Sequence, residues 1–176
     1  MSGLTAVAIR LRGLRVRNLI AIPFVSCLVS LATQPLAIAQ VLPTPSHVQI
    51  HEEMYVPIGG IPQWLTIKGE DRSNPVVLFL HGGPGDAWSP FADSMFAGWD
   101  KNFTLVQWDQ RGAGRTYSKN GPSIAPTMTV DRMVGDGIEV AEFLTRHLHK
   151  KKIILVGGSW GSILGIYMIH ARPKLF

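Results

Sequence analysis

The sequence predicts an α/β fold, a mostly parallel sheet covered by helices on both faces. Three observations point to it. Continuous apolar runs at 75–80 and 153–156 have the length and branched side chains of strands buried on both sides, and 103–108 reads as the strand between them. Between them lie stretches whose apolar residues recur at spacings of three and four, the period of a helix. Each run also ends in a polar, glycine-rich segment, and ligands bind in α/β sheets beyond the carboxyl ends of the strands.

The elements follow in order. Residues 47–56 and 63–68 read as two strands joined at Gly59-Gly60, a hairpin at a sheet edge. The run at 75–80 is the first buried strand, and a helix is expected over 90–99 before the strand at 103–108. In 129–149, Val130, Met133, Val134, Ile138, Ala141, Leu144 and Leu148 mark one helical face. The strand at 153–156 and a helix over 159–171 complete the pattern. Neither an internal repeat nor a low-complexity tract is visible.

Composition narrows the function classes. The chain has 176 residues, 46% of them hydrophobic, enough for a core and against wholesale disorder. Its single cysteine, Cys27, excludes an internal disulfide, a Cys-x-x-Cys pair and a Cys/His zinc site, and no metal site is expected. The net charge of +5 is unevenly placed. Residues 1–39 hold Arg10, Arg12, Arg15 and Arg17 and no acid, followed by an apolar stretch from Leu19 to Ala32 and then Ala37-Ile38-Ala39. That is the layout of a secretory signal peptide, with 40–47 a leader and 48–176 the domain. An uncleaved membrane anchor and lipidation at Cys27 are the alternatives. The expected location is therefore periplasmic or secreted, with membrane contact only through this segment if it is retained. Without it, 13 basic side chains face 12 acidic ones. The remaining basic run, Lys150-Lys151-Lys152, reads as a solvated turn, and no nucleic-acid partner is expected.

The chemistry lies at the strand ends. Gly157-Gly158-Ser159-Trp160-Gly161 is a Gly-x-Ser-x-Gly sequence between a strand and a helix. It needs a turn so tight that Gly157 and Gly161 can carry no Cβ, which lifts the Ser159 hydroxyl onto the sheet rim as a nucleophile. An acyl-transfer site also needs backbone N–H groups aimed at the developing oxyanion. Trp160, the residue after the nucleophile, would supply one and Gly83, in His81-Gly82-Gly83-Pro84-Gly85, the other. Read by itself, the 81–85 loop could cradle phosphate, but no Gly-Lys-Ser/Thr occurs in the chain.

Together with Asp109-Gln110-Arg111-Gly112-Ala113-Gly114-Arg115, these motifs resemble the α/β-hydrolase superfamily, specifically the prolyl iminopeptidases, from about residue 48 to 176. The resemblance implies an α/β-hydrolase fold carrying its N-terminal strands through the nucleophile elbow and the following helix. It implies release of an N-terminal residue, typically proline, from peptides by a Ser-Asp-His mechanism that uses no cofactor. The substrate would be a peptide or a small amide or ester. His81, Gly82, Pro84 and Gly85 then shape the oxyanion loop, and Asp109 and Arg111 hold the neighbouring turn. Asp86-Ala87 and Thr116 depart from the family pattern, in loops expected to lie near the substrate.

In this superfamily the acid and the histidine follow the serine. After Ser159 the chain has no Asp or Glu, and its only histidine is His170, 11 residues along the same helix. At 1.5 Å per residue that is about 16 Å away, out of reach as a base. His147 and His149 read as solvated residues at the end of the preceding helix. A different chain order, His81 with Asp109 and Ser159, is the alternative triad. The expectation is an N-terminal half of an exported serine hydrolase, poorly soluble and inactive alone. An exported esterase or amidase of the same fold, or a non-catalytic truncated product, are the competing readings. Aspartate-nucleophile relatives such as epoxide hydrolases are disfavoured because the elbow carries Ser159.

Overall fold

A computed structural model describes residues 48–176. The signal and leader assigned to 1–47 lie outside the described residues. Five strands form one sheet in the order β1-β2-β4-β3-β5, with β1 Ile50–Ile58, β2 Ile61–Gly69, β3 Val76–Leu80, β4 Thr104–Asp109 and β5 Ile154–Gly157. The helices are α1 Ala92–Met95, α2 Gly114–Asn120, α3 Val130–His147 and α4 Trp160–Ala171.

The hairpin forms where Gly59-Gly60 allows it. Both glycines take positive φ (56° and 79°), as a two-residue turn matching strand twist requires, and Ile58 pairs with Ile61 across it. The expected mostly parallel sheet is in fact mixed. β3 runs parallel to β4 and β5, but β2 pairs antiparallel with both β1 and β4. The tight Gly59-Gly60 turn reverses the chain and so accounts for the β1–β2 pair; β2 and β4, which no hairpin joins, run antiparallel as well.

The period-two alternation of a strand divides β3 between two cores. Leu78 and Leu80 face the larger one, with Leu65, Ile67, Val106 and Trp108 beneath Val140, Leu144, Leu164 and Met168 of α3 and α4. Val77 and Phe79 face a smaller cluster on the opposite side with Leu105, Trp88 and Phe96. Both faces are thus buried, as the continuous apolar run predicts.

Two elements differ from expectation. The helix expected over 90–99 is broken into a 3-10 turn at Ser89–Phe91, the single-turn α1, and a second 3-10 turn at Trp99–Lys101. α1 closes at Met95, where Phe96 N–H donates to the Ala92 carbonyl, and Gly98, left-handed at φ 80°, starts the second 3-10 turn. The strand expected to be central, β5, pairs among the described residues only with β3, and Ile154 is 46% exposed. α4 is apolar around its circumference, the pattern of a helix buried on all sides. Here Ile163, Ile166, Tyr167 and Ile169 are exposed. A patch of this kind drives association. The double variant Ile163→Lys/Ile166→Lys is therefore expected to lower self-association of the chain, read by light scattering across a concentration series.

Candidate active site

The turn after β5 and the loop after β3 meet because their strands are parallel neighbours, with Leu80 opposite Gly157. Gly158 N–H donates to the Leu80 carbonyl at 3.1 Å. A Cβ placed on Gly82 would lie 3.4 Å from Ser159 Cβ and 4.0 Å from Ser159 Oγ. The 81–85 loop and the serine therefore lie side by side.

Ser159 has φ 50° and ψ −121°, a positive φ outside the regions a side-chain-bearing residue ordinarily occupies. Such a conformation costs on the order of 1–3 kcal/mol and persists only when its surroundings enforce it. Gly161 enforces it by close approach: a Cβ there would sit 1.9 Å from the Leu80 carbonyl oxygen, and one on Gly157 would sit 2.5 Å from the Gly161 oxygen. The helix can thus start directly against β3. Ser159 is exposed and its side chain does not cap α4. Trp160 is the first residue of α4, so its N–H has no partner inside the helix. Gly83, exposed and at φ 101°, leads into the exposed Pro84-Gly85 segment.

His81 is buried (2% exposed) and both ring nitrogens are engaged. Gln110 N–H donates to Nε2 at 3.1 Å, so the proton sits on Nδ1 and is donated to the Gly82 carbonyl at 2.9 Å. The alternative triad therefore does not assemble: His81 has no free nitrogen to take a proton from Ser159. Burial holds its pKa below the ordinary value of 6.5, opposed by the Gly82 carbonyl and by the charges of Asp109 and Asp86. The unfolded chain then binds the proton more readily. Stability from this residue is full above about pH 6.5 and is lost as pH falls through 6.5 toward the lowered value. His81→Gln is expected to flatten the fall in urea midpoint between about pH 7 and pH 5.

Gln110 is the site residue that sequence reasoning missed. Fully buried, it donates from Nε2 to the His81 carbonyl at 3.0 Å and accepts from the Trp160 indole N–H at 3.1 Å. One side chain thereby ties the 81–85 loop to the residue after Ser159. A glutamine inside an otherwise turn-like sequence, directly after a buried strand, was the available signal.

Asp109, Arg111 and Thr116 stay away from Ser159. Asp109 Oδ2 accepts from Arg115 N–H at 2.8 Å, holding the first turn of α2. Arg111, 2% exposed, grips Asp136 of α3 through Nε (2.8 Å) and Nη2 (3.2 Å), the Gly59 carbonyl (2.8 Å) and Thr127 Oγ1 (2.9 Å). Thr116, expected near the substrate, is fully buried in α2. Its hydroxyl donates to the Asp109 carbonyl and accepts from Trp64 N–H at 2.9 Å, joining β2 to β4. His170 lies at the far end of α4 and is exposed, and no Asp or Glu follows Ser159 among the described residues.

Comparisons with known proteins agree with this geometry. A family model described as the alpha/beta hydrolase fold matches residues 75–176. A probable aminopeptidase of Bacillus subtilis, YbaC, is 39% identical over 135 residues, 77% of this chain and 41% of that protein. A proline iminopeptidase of Clostridioides difficile is 32% identical over 127 residues, 69% of this chain and 40% of its own. Among solved structures, a proline iminopeptidase-related protein of Thermus thermophilus superposes with a TM-score of 0.59 at 26% identity, covering 71% of this chain and 42% of that one. An epoxide hydrolase of Vigna radiata superposes at 0.58 with 30% identity, covering 72% and 36%. The chain thus spans about two-fifths of the length of the relatives it matches. With its elbow, its glycine loop and its sheet order all accounted for by one pattern, the chain belongs to the α/β-hydrolase family.

Proposed function

We propose that Ser159 is the nucleophile of a serine hydrolase that releases an N-terminal residue, proline by preference, from peptides. The observation that carries the reading is the strained, exposed Ser159 held against the Gly82 backbone. Its Oγ would attack the scissile carbonyl as a base takes its proton. The N–H groups of Gly83 and Trp160 would bind the oxyanion, and collapse would expel the peptide amine with a returned proton. Water then hydrolyses the acyl-serine. None of these steps calls for a cofactor. The described residues bring neither a base nor an acid to Ser159, so the described segment alone is expected to be inactive. The aminopeptidase and iminopeptidase relatives support the peptide substrate. The Vigna radiata structure supports the fold, while Ser159 favours acyl transfer over the aspartate chemistry expected of an epoxide hydrolase. A secreted or periplasmic location remains part of this proposal and rests on Arg10–Ala39 composition alone.

The test is a graft. Residues 42–176 replace the matching segment of the Bacillus subtilis relative, and the product is assayed on proline 4-nitroanilide and on a short-chain 4-nitrophenyl ester. Faster turnover of the proline anilide relative to other aminoacyl anilides supports the reading. Ester hydrolysis with no anilide hydrolysis would move it to the esterase class.

A further inference from the structure

The first x of the Gly-x-Ser-x-Gly turn is itself a glycine, Gly158, and its backbone does not ask for one. Its φ is not positive, so no left-handed conformation selects glycine there. Close approach does. A Cβ on Gly158 would lie 2.6 Å from Cη2 and 2.7 Å from Cζ2 of Trp88, well inside the separation at which carbon atoms touch. The indole of Trp88 therefore sets the edge of its six-membered ring against the backbone immediately before Ser159.

Trp88 is supported from behind. It packs with Phe96 (ring centroids 6.2 Å apart) on the smaller core of Val77, Phe79 and Leu105, and Val156 of β5 joins the same cluster. Close-packed side chains give little way, so this core acts as a backstop. The polar atoms of Gly158 are held as well. Its N–H donates to the Leu80 carbonyl at 3.1 Å, and its carbonyl accepts from Gly161 N–H at 2.9 Å. Those two bonds tie Gly158 to β3 and α4, and the indole closes the side toward the smaller core.

Ser159 holds φ 50° at a cost, and such a conformation lasts only where its surroundings leave the chain no alternative. Relaxing that φ turns the peptide between Gly158 and Ser159, which displaces Gly158 from the three contacts that hold it. We propose that Trp88 is a positioning residue for Ser159: through Gly158 it keeps the strained backbone, and with it Oγ, where attack on a carbonyl requires it. This rests on Ser159 being the nucleophile. It also explains why the x position carries no side chain.

The test is a double-mutant cycle in the grafted enzyme, with proline 4-nitroanilide as substrate. Gly158→Ala sets a methyl group against the indole and is expected to lower kcat about 10²-fold, the effect of misplacing a reacting group by about 1 Å. With Trp88→Leu beside it the methyl meets open space, and the same substitution is expected to cost less than about threefold. Trp88→Leu alone is expected to lower kcat about tenfold with KM little changed. The proposal is overturned if Gly158→Ala costs the same in both backgrounds or if Trp88→Leu leaves kcat unchanged. It is equally overturned if Trp88→Leu raises KM alone, which would put the indole on the substrate. Should Trp88→Leu not fold, Trp88→Phe, which keeps a ring in the smaller core and draws its edge back from Gly158, carries the same comparison.

A second measurement needs no turnover. In the full 176-residue chain, Trp88→Phe is expected to speed hydrogen exchange about tenfold at Gly161 and Ser162, with Val106 and Leu144 unchanged. Those two N–H groups close the turn on the Gly158 and Ser159 carbonyls at 2.9 Å. Equal acceleration throughout would mean loosened packing alone and would overturn the proposal, as would no acceleration at the turn. A Ser159→Ala graft that keeps its turnover would overturn the nucleophile reading instead, a result distinct from each of these.

Discussion

Ser159→Ala in the grafted enzyme is expected to lower kcat/KM for proline 4-nitroanilide by about 10⁴-fold or more. A serine and its base act as a unit, so removing the nucleophile forfeits nearly all the advantage of the pair. A residual rate above water should survive, because the N–H groups of Gly83 and Trp160 do not depend on the hydroxyl. The loss should fall on kcat, with KM little changed, since Ser159 Oγ caps nothing and only reaches substrate when it attacks. A fall in kcat/KM below about tenfold would place the chemistry on another residue.

The second large effect concerns the frame and not the chemistry. Asp136 is fully buried and accepts from Arg111 at 2.8 and 3.2 Å, from Arg132 at 2.8 Å and from Gln63 at 2.8 Å. Gln63 in turn accepts from the Trp108 indole N–H at 2.8 Å. Asp136→Ala leaves the Arg111 guanidinium buried without its counter-ion. Breaking a buried pair from one side costs about 3–5 kcal/mol. That is a large part of the ~5–15 kcal/mol by which domains are stable, so the urea midpoint should collapse. Asp136→Asn, which keeps acceptor and shape but not charge, should lose less. Equal losses for the two variants would show that the charge alone accounts for the effect, whereas an Asn variant as stable as the native chain would show that packing dominates.

What could be read from the sequence divides along physical lines. Signals that act within a few residues were legible. Gly59-Gly60 fixed the hairpin turn, the branched run at Val76–Leu80 gave a strand buried on both faces, and the elbow glycines marked Ser159. Contacts between residues far apart in the chain were not. Gln110 matters through His81 and Trp160, 29 and 50 positions away, and its place after a buried strand marks it as unusual without naming either partner. Thr116 was assigned to the substrate side by its motif, yet its partner Trp64 lies 52 positions off on another strand. The antiparallel edge hairpin was legible but the direction of β2 against β4 was not, because apolar periodicity marks a strand and carries no direction. The helix expected over 90–99 holds for one turn, Ala92–Met95, and the left-handed glycine at 98 starts a separate 3-10 turn.

The central claim is that the strand ends place an acyl-accepting serine and its oxyanion donors together, without its base. The most direct measurement is mass spectrometry of the Ser159 peptide after treatment with a fluorophosphonate. The account predicts a stable adduct on Ser159 in the grafted enzyme and none above the Ser159→Ala background in the 176-residue chain alone. Strong labelling of Ser159 in that chain alone, or an adduct on a different residue in the graft, would contradict it.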